Sequence, residues 1–548
     1  MSKTFLSSAT LAAAVLAATP AFAADTTAIE RGRYLATAGD CIACHTAPGG
    51  KPMAGGLALS SPLGPIYSTN ITPSKVHGIG NYTLQQFSDA LRHGKRADGA
   101  NLYPAMPYTE YAKTTDEDIA ALYAYFMQGV EPVDSTPAQQ TALPFPFNIR
   151  ASLGVWNALF HDATPYKADA SQTPEWNRGA YLSQGLAHCT TCHTPRTALM
   201  AADNKRSLGG GDVGGWYAPN ITSDATSGIA SWTEEQLVQY MSGLPVPGKG
   251  PAAGPMAEAI DHSLKHLTPE DLKAIAVYIK SVPAVADGKL TQAADSFGQA
   301  KDDLDSIRGT ELPKDFNAMT GAQIYDGYCA SCHQVQGQGR GSDGDGLPAL
   351  LHNTSLGHAN SNNLVQVLLH GIHRVGTDSV MPGFAHELSD TQITTLGNYL
   401  LASYGNPAAK VTAPQVAQLR DPAKAGADAA LLTLARVGMA VGGSWCWRCW
   451  AGGCCAAARP EVRAQCVRRA GGVPRCAVNE PAHSMRAGCF LIAVSALRTS
   501  VSVIKAPEIR VQPAPADLVV RGGDGWLTSP WRPAPWRFCC AARWAWAP

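Results

Sequence analysis

Three stretches of the chain carry apolar residues at helical spacing behind a polar start. Ile119, Leu122, Tyr123 and Phe126 recur three and four apart, as one face of a helix requires. Thr115-Asp116-Glu117-Asp118 before them offers a side-chain acceptor to the free amides of a helix start. The arrangement returns as Thr268-Pro269-Glu270-Asp271 ahead of Leu272 to Ile279, with proline at the first helical position. It returns again as Ser389-Asp390-Thr391-Gln392 ahead of Ile393 to Tyr404. Upstream of each lies a shorter helical segment: Glu30 to Leu35, Asn177 to Leu182 and Gly321 to Tyr325. The pattern predicts an all-α chain of three helix pairs, each too small to bury much on its own.

The strings between these helices repeat as well, which identifies one small domain used three times. Tyr67-Ser68-Thr69-Asn70-Ile71-Thr72 reappears as Tyr217-Ala218-Pro219-Asn220-Ile221-Thr222. Gly78-Ile79-Gly80-Asn81-Tyr82-Thr83 reappears as Gly228-Ile229-Ala230-Ser231-Trp232-Thr233, and Met106 as Met256, all at an offset of 150 positions. The third copy is shorter and keeps mainly its ends.

Each opening helix runs into Cys-x-x-Cys-His: Cys41 to His45, Cys189 to His193, and Cys329 to His333. A bare Cys-x-x-Cys is equally a redox dithiol or half a zinc site. With histidine next, the two thiols suit addition to the vinyl groups of a haem, and the imidazole suits its iron. Three occurrences in similar surroundings predict three covalently bound haems c, packed between the helix pairs. The cofactor-binding residues are then Cys41, Cys44, Cys189, Cys192, Cys329 and Cys332, with His45, His193 and His333 as proximal metal ligands.

A six-coordinate electron carrier needs a further ligand, and a thioether favours reduced iron. Met106, Met256 and Met381 each stand beside proline, in what reads as a loop between haem motif and closing helix. They are the expected distal ligands, whereas Met127 and Met241 read as core. His93, His262 and His266 are rivals that the repeat does not align. In the third copy His352, His358, His370, His373 and His386 leave a bis-histidine iron open, and His188 adjoins Cys189 too closely to reach the distal face. Arg92, Arg196 and Arg374 are partners for haem propionates or ordinary solvated arginines. Asn70 and Asn220 bond a propionate or form a turn. No catalytic residue is assigned: no Ser-His-Asp group, dinucleotide loop or carboxylate pair stands out.

At 548 residues, with 43 basic and 43 acidic side chains, the chain is long enough for three or four domains and offers no basic block before its tail. No nucleic-acid partner is expected. Lys3, the apolar run from Leu11 to Ala18, and Ala21-Phe22-Ala23 read as a secretory signal, so the mature chain begins near Ala24 outside the cytoplasm. The expected division is a signal peptide at 1–23, cytochrome-like domains at 24–131, 174–283 and 315–405, and linkers at 132–173, 284–314 and 406–430. Trp156 and Phe160 suggest that the first linker lies against a surface.

With these residues in hand the chain resembles the trihaem cytochrome c subunit of bacterial membrane-bound dehydrogenases. The resemblance runs from Ile29 to Tyr404 and is carried by Gly39-Asp40-Cys41 to His45, Ser68 to Pro73, Tyr103-Pro104-Ala105-Met106-Pro107-Tyr108, Trp176 to Gly179, and Ala187-His188-Cys189. It implies three tandem class I cytochrome c-like domains. It also implies a flavin- or PQQ-dependent catalytic subunit as partner, a small third subunit, and delivery of electrons to membrane ubiquinone at the periplasmic face of the inner membrane. Partners in that family act on gluconate, fructose, sorbitol, glucose or alcohols. Pro144-Phe145-Pro146-Phe147 and Gly254 to Ala259 lean towards the sugar and polyol flavoenzymes. A free-standing periplasmic shuttle is separated from this reading only by the resemblance. A haem peroxidase is disfavoured by the three methionines, because it needs an open iron site.

Family members often end in an apolar anchoring helix, and Leu431 to Val441 begins like one. From Gly442 the composition changes: nine of the fifteen cysteines and eight of the twelve tryptophans follow. Read one base earlier, the codons of Trp445 to Trp450 encode apolar residues. The expectation is a truncated anchor at 431–441 and a frameshifted, disordered tail at 442–548; a cysteine-rich metal module around Cys446, Cys449, Cys454 and Cys455 is the rival.

Overall fold

The computed structural model describes residues 26–340, 347–372, 381–421 and 428–438, and two short strands beyond them. The signal peptide, Arg374, His373 and nearly all of the tail lie outside the described residues. In the tail only the antiparallel pairing of Gln465–Val467 with Arg475–Ala477 is described. A helix spans 429–438, and no helix among the described residues is long and apolar enough to cross a membrane.

The described residues group into two bodies. The larger takes in residues up to 142 and from 163 to 425. The smaller holds residues 143–162 with those from 426 onwards; in it Ser152–Phe160 is helical, and Trp156 stacks on Phe160 at 5.6 Å.

Within the larger body the expected helix pairs are present. Thr26–Ala38 packs on Asp116–Gln128, Pro174–Gln184 on Pro269–Ser281, and Gly321–Tyr328 on Asp390–Tyr404. Each pair crosses at a glycine of the opening helix. A Cβ on Gly32 would lie 2.0 Å from the Ala121 carbonyl oxygen, one on Gly179 1.8 Å from that of Ala274, and one on Gly321 2.3 Å from Tyr399 Cβ. The first two pairs therefore touch backbone to backbone and the third backbone to side chain, with no room for a methyl group.

The helix starts behave differently in the copies. Ser389 and Gln392 form the full reciprocal capping box. Thr115 and Thr268 accept from the Asp118 and Asp271 amides, but neither aspartate reaches back. Their carboxylates are engaged elsewhere. Asp118 accepts from Arg31 Nε at 2.8 Å and from the Tyr181 hydroxyl of the second copy at 2.5 Å. Asp271 accepts from Arg178 Nε at 2.7 Å and from the Tyr34 hydroxyl of the first copy at 2.6 Å. The two copies thus clasp each other through one Tyr-to-Asp hydrogen bond in each direction, each Asp being held by an Arg of its own copy.

Between haem motif and closing helix, the first copy adds a hairpin of Ala58–Leu59 with Ile66–Tyr67, and the second one of Gly211–Val213 with Trp216–Ala218. Helices Leu84–His93 and Glu234–Met241 follow, each opened by a Thr-x-x-Gln capping box. The third copy has Thr354–Gly357 and Asn362–His370 instead. The first two linkers are anchored at points among the described residues. Val133 and Leu290 are buried, and Lys249 pairs with Asp295.

Candidate haem sites

Each Cys-x-x-Cys-His sits on one short helix: Cys41–Cys44, Cys189–His193 and Ala330–His333. The turn brings the two sulfurs to one side. It also lets each imidazole bond a carbonyl from further along the chain: Nδ1 of His45 to Thr69 at 2.7 Å, of His193 to Pro219 at 2.7 Å, and of His333 to Pro348 at 2.8 Å. A ring that donates through Nδ1 keeps Nε2 as the lone-pair nitrogen, the tautomer a proximal iron ligand needs. Burial lowers the pKa of all three rings, against an opposing effect of the carbonyl bond, so the neutral ring is favoured.

The thiols are not arranged as a redox dithiol. No disulfide joins the six motif cysteines. Burial pushes Cys41, Cys44 and Cys329 up to about 12 and Cys189 to about 11, whereas an exchange-active thiol is held low. Nor do three His, Cys, Asp or Glu side chains among the described residues converge to hold a bare metal ion.

A cleft with about 2390 Å³ of space free of protein atoms, part of it open to solvent, runs between the second and third motifs. Cys189, Cys192, His193 and Met256 line one part of it, and Cys329, His333 and Met381 the other. This donor set, two thiols and an imidazole facing apolar walls and a thioether, fits haem c. Met106, like Cys41 and Ile42, packs against the core shared by the first two copies, and its amide closes a turn on the Tyr103 carbonyl at 3.2 Å.

Met256 departs from the expected loop: it lies in the first turn of the helix Gly254–His262. Pro255 is the reason, since its φ is preset for a helix start. Gly254 admits the turn, having φ +52° and lying so close to the Trp216 ring that a Cβ would stand 2.4 Å from it. Met381 is held by mutual backbone hydrogen bonds with Ile372. His358 lines the same cavity and stacks edge-on to Tyr217 at 6.2 Å; burial drives its pKa down to about 4. Among the third copy's rival histidines in described segments, it alone lines the cavity.

Of the two readings open for the asparagines, the structure shows the turn. Asn70 accepts from the amide and hydroxyl of Thr72 and donates to the Val133 and Ser135 carbonyls; Asn220 accepts from the amide and hydroxyl of Thr222 and donates to the Ser227 hydroxyl oxygen and the Val285 carbonyl. Both form turns that pin the connector behind them, which leaves no amide hydrogen for a propionate. Arg92 donates to the Thr114 carbonyl and pairs with Asp116 at the closing helix, and Arg196 donates to the Thr191 carbonyl beside the second motif.

Sequence reasoning missed the residues gathered where the first two motifs meet. Thr190 donates to Glu110 at 3.2 Å, Ser263 to the Ala38 carbonyl at 3.3 Å, and Tyr111 to the Gly39 carbonyl at 2.7 Å. Tyr111 also stands edge-on to His188 at 5.8 Å. The recurrence of Arg-Gly-x-Tyr-Leu at Arg31 to Leu35 and Arg178 to Leu182 was the available signal for the clasp.

Helix pairs closing over Cys-x-x-Cys-His helices with neutral proximal imidazoles define a c-type cytochrome, an electron-transfer protein carrying covalent haem c. The profile of the family described as cytochrome c matches residues 29–129 and 177–283, and that described as cytochrome c oxidase, cbb3-type, subunit III matches residues 316–400. The fructose dehydrogenase cytochrome subunit of Gluconobacter japonicus is 49% identical over 408 residues, 72% of this chain and 82% of that protein. The gluconate 2-dehydrogenase cytochrome c subunit of Pantoea cypripedii is 38% identical, over 72% of this chain and 89% of that protein. The alcohol dehydrogenase (quinone) cytochrome c subunit of Gluconobacter oxydans (strain 621H) is 39% identical, over 72% and 83%. The chain belongs to this family of dehydrogenase cytochrome c subunits.

Proposed function

We propose that the chain carries three haems c, one per tandem class I cytochrome c-like domain, and relays electrons from a dehydrogenase catalytic subunit to membrane ubiquinone at the periplasmic face of the inner membrane. Each haem supplies one-electron chemistry by changing the valence of its iron. His45 with Met106, His193 with Met256, and His333 with Met381 would hold the three irons, and the six motif cysteines would carry the thioether links. The observation that carries the reading is the shared cavity, lined in one part by Cys189, Cys192, His193 and Met256 and in the other by Cys329, His333 and Met381. The second and third haems would then lie close enough to exchange electrons directly. The exposed Cys332 puts the third motif's edge nearest solvent, where a redox partner can reach it.

The partner acts on a sugar or polyol through a flavin. In support, identity is 49% to the fructose dehydrogenase cytochrome subunit, against 38% and 39% to the gluconate and alcohol dehydrogenase ones. A small third subunit completes the complex. The test is co-expression and purification of the complex, followed by addition of fructose, gluconate or ethanol while the haem absorption is recorded. Reduction by one sugar, followed by reoxidation with a ubiquinone analogue, is expected. Fewer than three haems per chain, or haems that no co-purifying dehydrogenase reduces, would overturn the reading. For the third iron, Met381→Ala is expected to abolish the methionine-ligand signature while His358→Ala leaves it intact.

A further inference from the structure

The junction of the first two haem motifs holds a carboxyl group that the electron relay does not use. Asp40 immediately precedes Cys41 and caps its short helix in the left-handed conformation, φ 52° and ψ 32°, with no side-chain cap bond. Its Oδ1 is shielded from solvent and has no hydrogen-bond partner. His188 precedes Cys189 in the same way, at φ 38° and ψ 39°, so the two copies place an acid and a base at matching positions. The junction brings both motifs to Asp40: it acts electrostatically on Cys41 and Cys44 of the first and on Cys192 of the second, and it lines the large cavity beside Cys189 and Cys192.

The groups facing it offer no compensating charge. Glu258, on the helix Gly254–His262, repels its carboxylate. Tyr111, from Tyr108–Tyr111, donates its hydroxyl to Gly39 instead, and the buried Glu110 on that helix is engaged by Thr190. Burial favours the uncharged ring of His188, whose Nδ1 is bonded to the Leu186 carbonyl. Arg196 acts on Cys192 and donates to the Thr191 carbonyl. A buried carboxyl with neither cation nor donor is ionised only at a large desolvation cost.

We propose that Asp40 is a redox-linked proton site serving the first two haems, taking up a proton when an electron arrives beside it and releasing it when the electron leaves. The proposal rests on the three-haem reading above. On reduction, one proton from solvent forms one O–H bond on the Asp40 carboxylate, and reoxidation breaks that bond. The electron comes from the dehydrogenase subunit, or from a mediator in the experiment. The cause is electrostatic. Burial, followed by repulsion from Glu258, already raises Asp40 to about 8. A ferric centre nearby favours the carboxylate, and loss of that positive charge on reduction favours the acid. Uptake therefore falls in the pH window above the pKa of the oxidised form and below that of the reduced form.

The test is a spectroelectrochemical titration of the full haem-loaded chain at a series of pH values, after haem content has been measured. One of the three potentials is expected to fall with rising pH inside that window, approaching the limit at which a tenfold change in proton concentration converts to about 59 mV for a one-electron couple. Asp40→Asn is expected to remove the slope and to leave the potential above wild type on the alkaline side, where wild type carries the anion. A wild-type potential that does not move with pH, or an unchanged slope in D40N, would overturn the proposal. Should D40N fail to attach haem, wild-type protein grown on carboxyl-labelled aspartate decides. A labelled protonated-carboxyl band must appear in redox-difference infrared spectra on reduction, and its absence overturns the proposal. A chain without three covalent haems overturns the underlying reading instead, and is recognised before any potential is measured.

Discussion

From Leu35 to Ile279 the buried side chains of two copies run together into one core, whereas those of the third, from Ile324 to Leu419, form a core of their own. The first two are joined by apolar packing and by the paired Arg-Asp-Tyr clasps. The third meets the second through polar contacts: Asn363 exchanges two 2.8 Å hydrogen bonds with the backbone of Tyr217, and the Gly250 amide donates to Thr354 at 3.1 Å. A shared core fixes the distance between its two haem motifs as rigidly as a single domain would. A polar seam around a cavity holds its partner more weakly, as contacts between separate domains do.

The largest expected effect comes from removing one haem attachment at a time. Cys329→Ala with Cys332→Ala should cost one haem and leave the other two, with an unchanged unfolding transition for the first two copies. Cys189→Ala with Cys192→Ala should lower haem content by more than one, because Leu182 and Leu186 beside that motif belong to the common core. Haem-to-protein ratios with calorimetry check both. Next come the helix crossings. Gly32→Ala must displace the Ala121 carbonyl, at a cost of about 1–3 kcal/mol, and should destabilise both early copies together. Gly321→Ala should act on the third alone, which hydrogen exchange would show as protection lost only in its helices.

The clasps rank third. Asp271→Asn is expected to cost about 2 kcal/mol and Tyr34→Phe about 1 kcal/mol, with coupling in a double-mutant cycle although the residues belong to different copies. Burial raises the Asp271 carboxyl, but the Arg178 and Tyr34 hydrogen bonds outweigh this and hold it below the ordinary range. Its contribution is therefore fully present above the usual carboxylate value of about 3.9 and is lost as pH falls through the lower folded value. Acid titration of stability should show that loss in wild type and a flatter profile in D271N. Smallest is Asn363→Ala, about 1 kcal/mol, expected to loosen the third copy against the second without moving the melting of the first pair. Equal destabilisation of all three copies would erase the contrast between core and seam.

The helix pairs and haem motifs were legible because each is local: a cap, an apolar stripe, five consecutive residues. The threonine caps at 115 and 268 were legible too, but the partners of Asp118 and Asp271 were not, since Tyr181 and Tyr34 are distant in sequence. A capping-box acid and an interdomain acid look alike in a string. Asn70 and Asn220 were ambiguous for a related reason: only the folded chain brings Val133 and Val285 back to their amides. Met256 was visible as a residue but not as part of a helix, because Gly-Pro marks a turn as readily as a helix start.

The reciprocal clasp also bears on ancestry. A surface in which Tyr of one copy meets an Asp of its twin that is held by the twin's own Arg, and in which the same contact is made in return, has the form of an isologous contact. A lone ancestral repeat bearing all three residues would have paired with a second copy of itself, and a duplicated gene would have inherited the joint ready made. Fusion then lifted a restriction. In a homodimer both partners must carry the same residue at the junction, whereas two halves of one polypeptide can diverge, as they have with aspartate before one haem motif and histidine before the other.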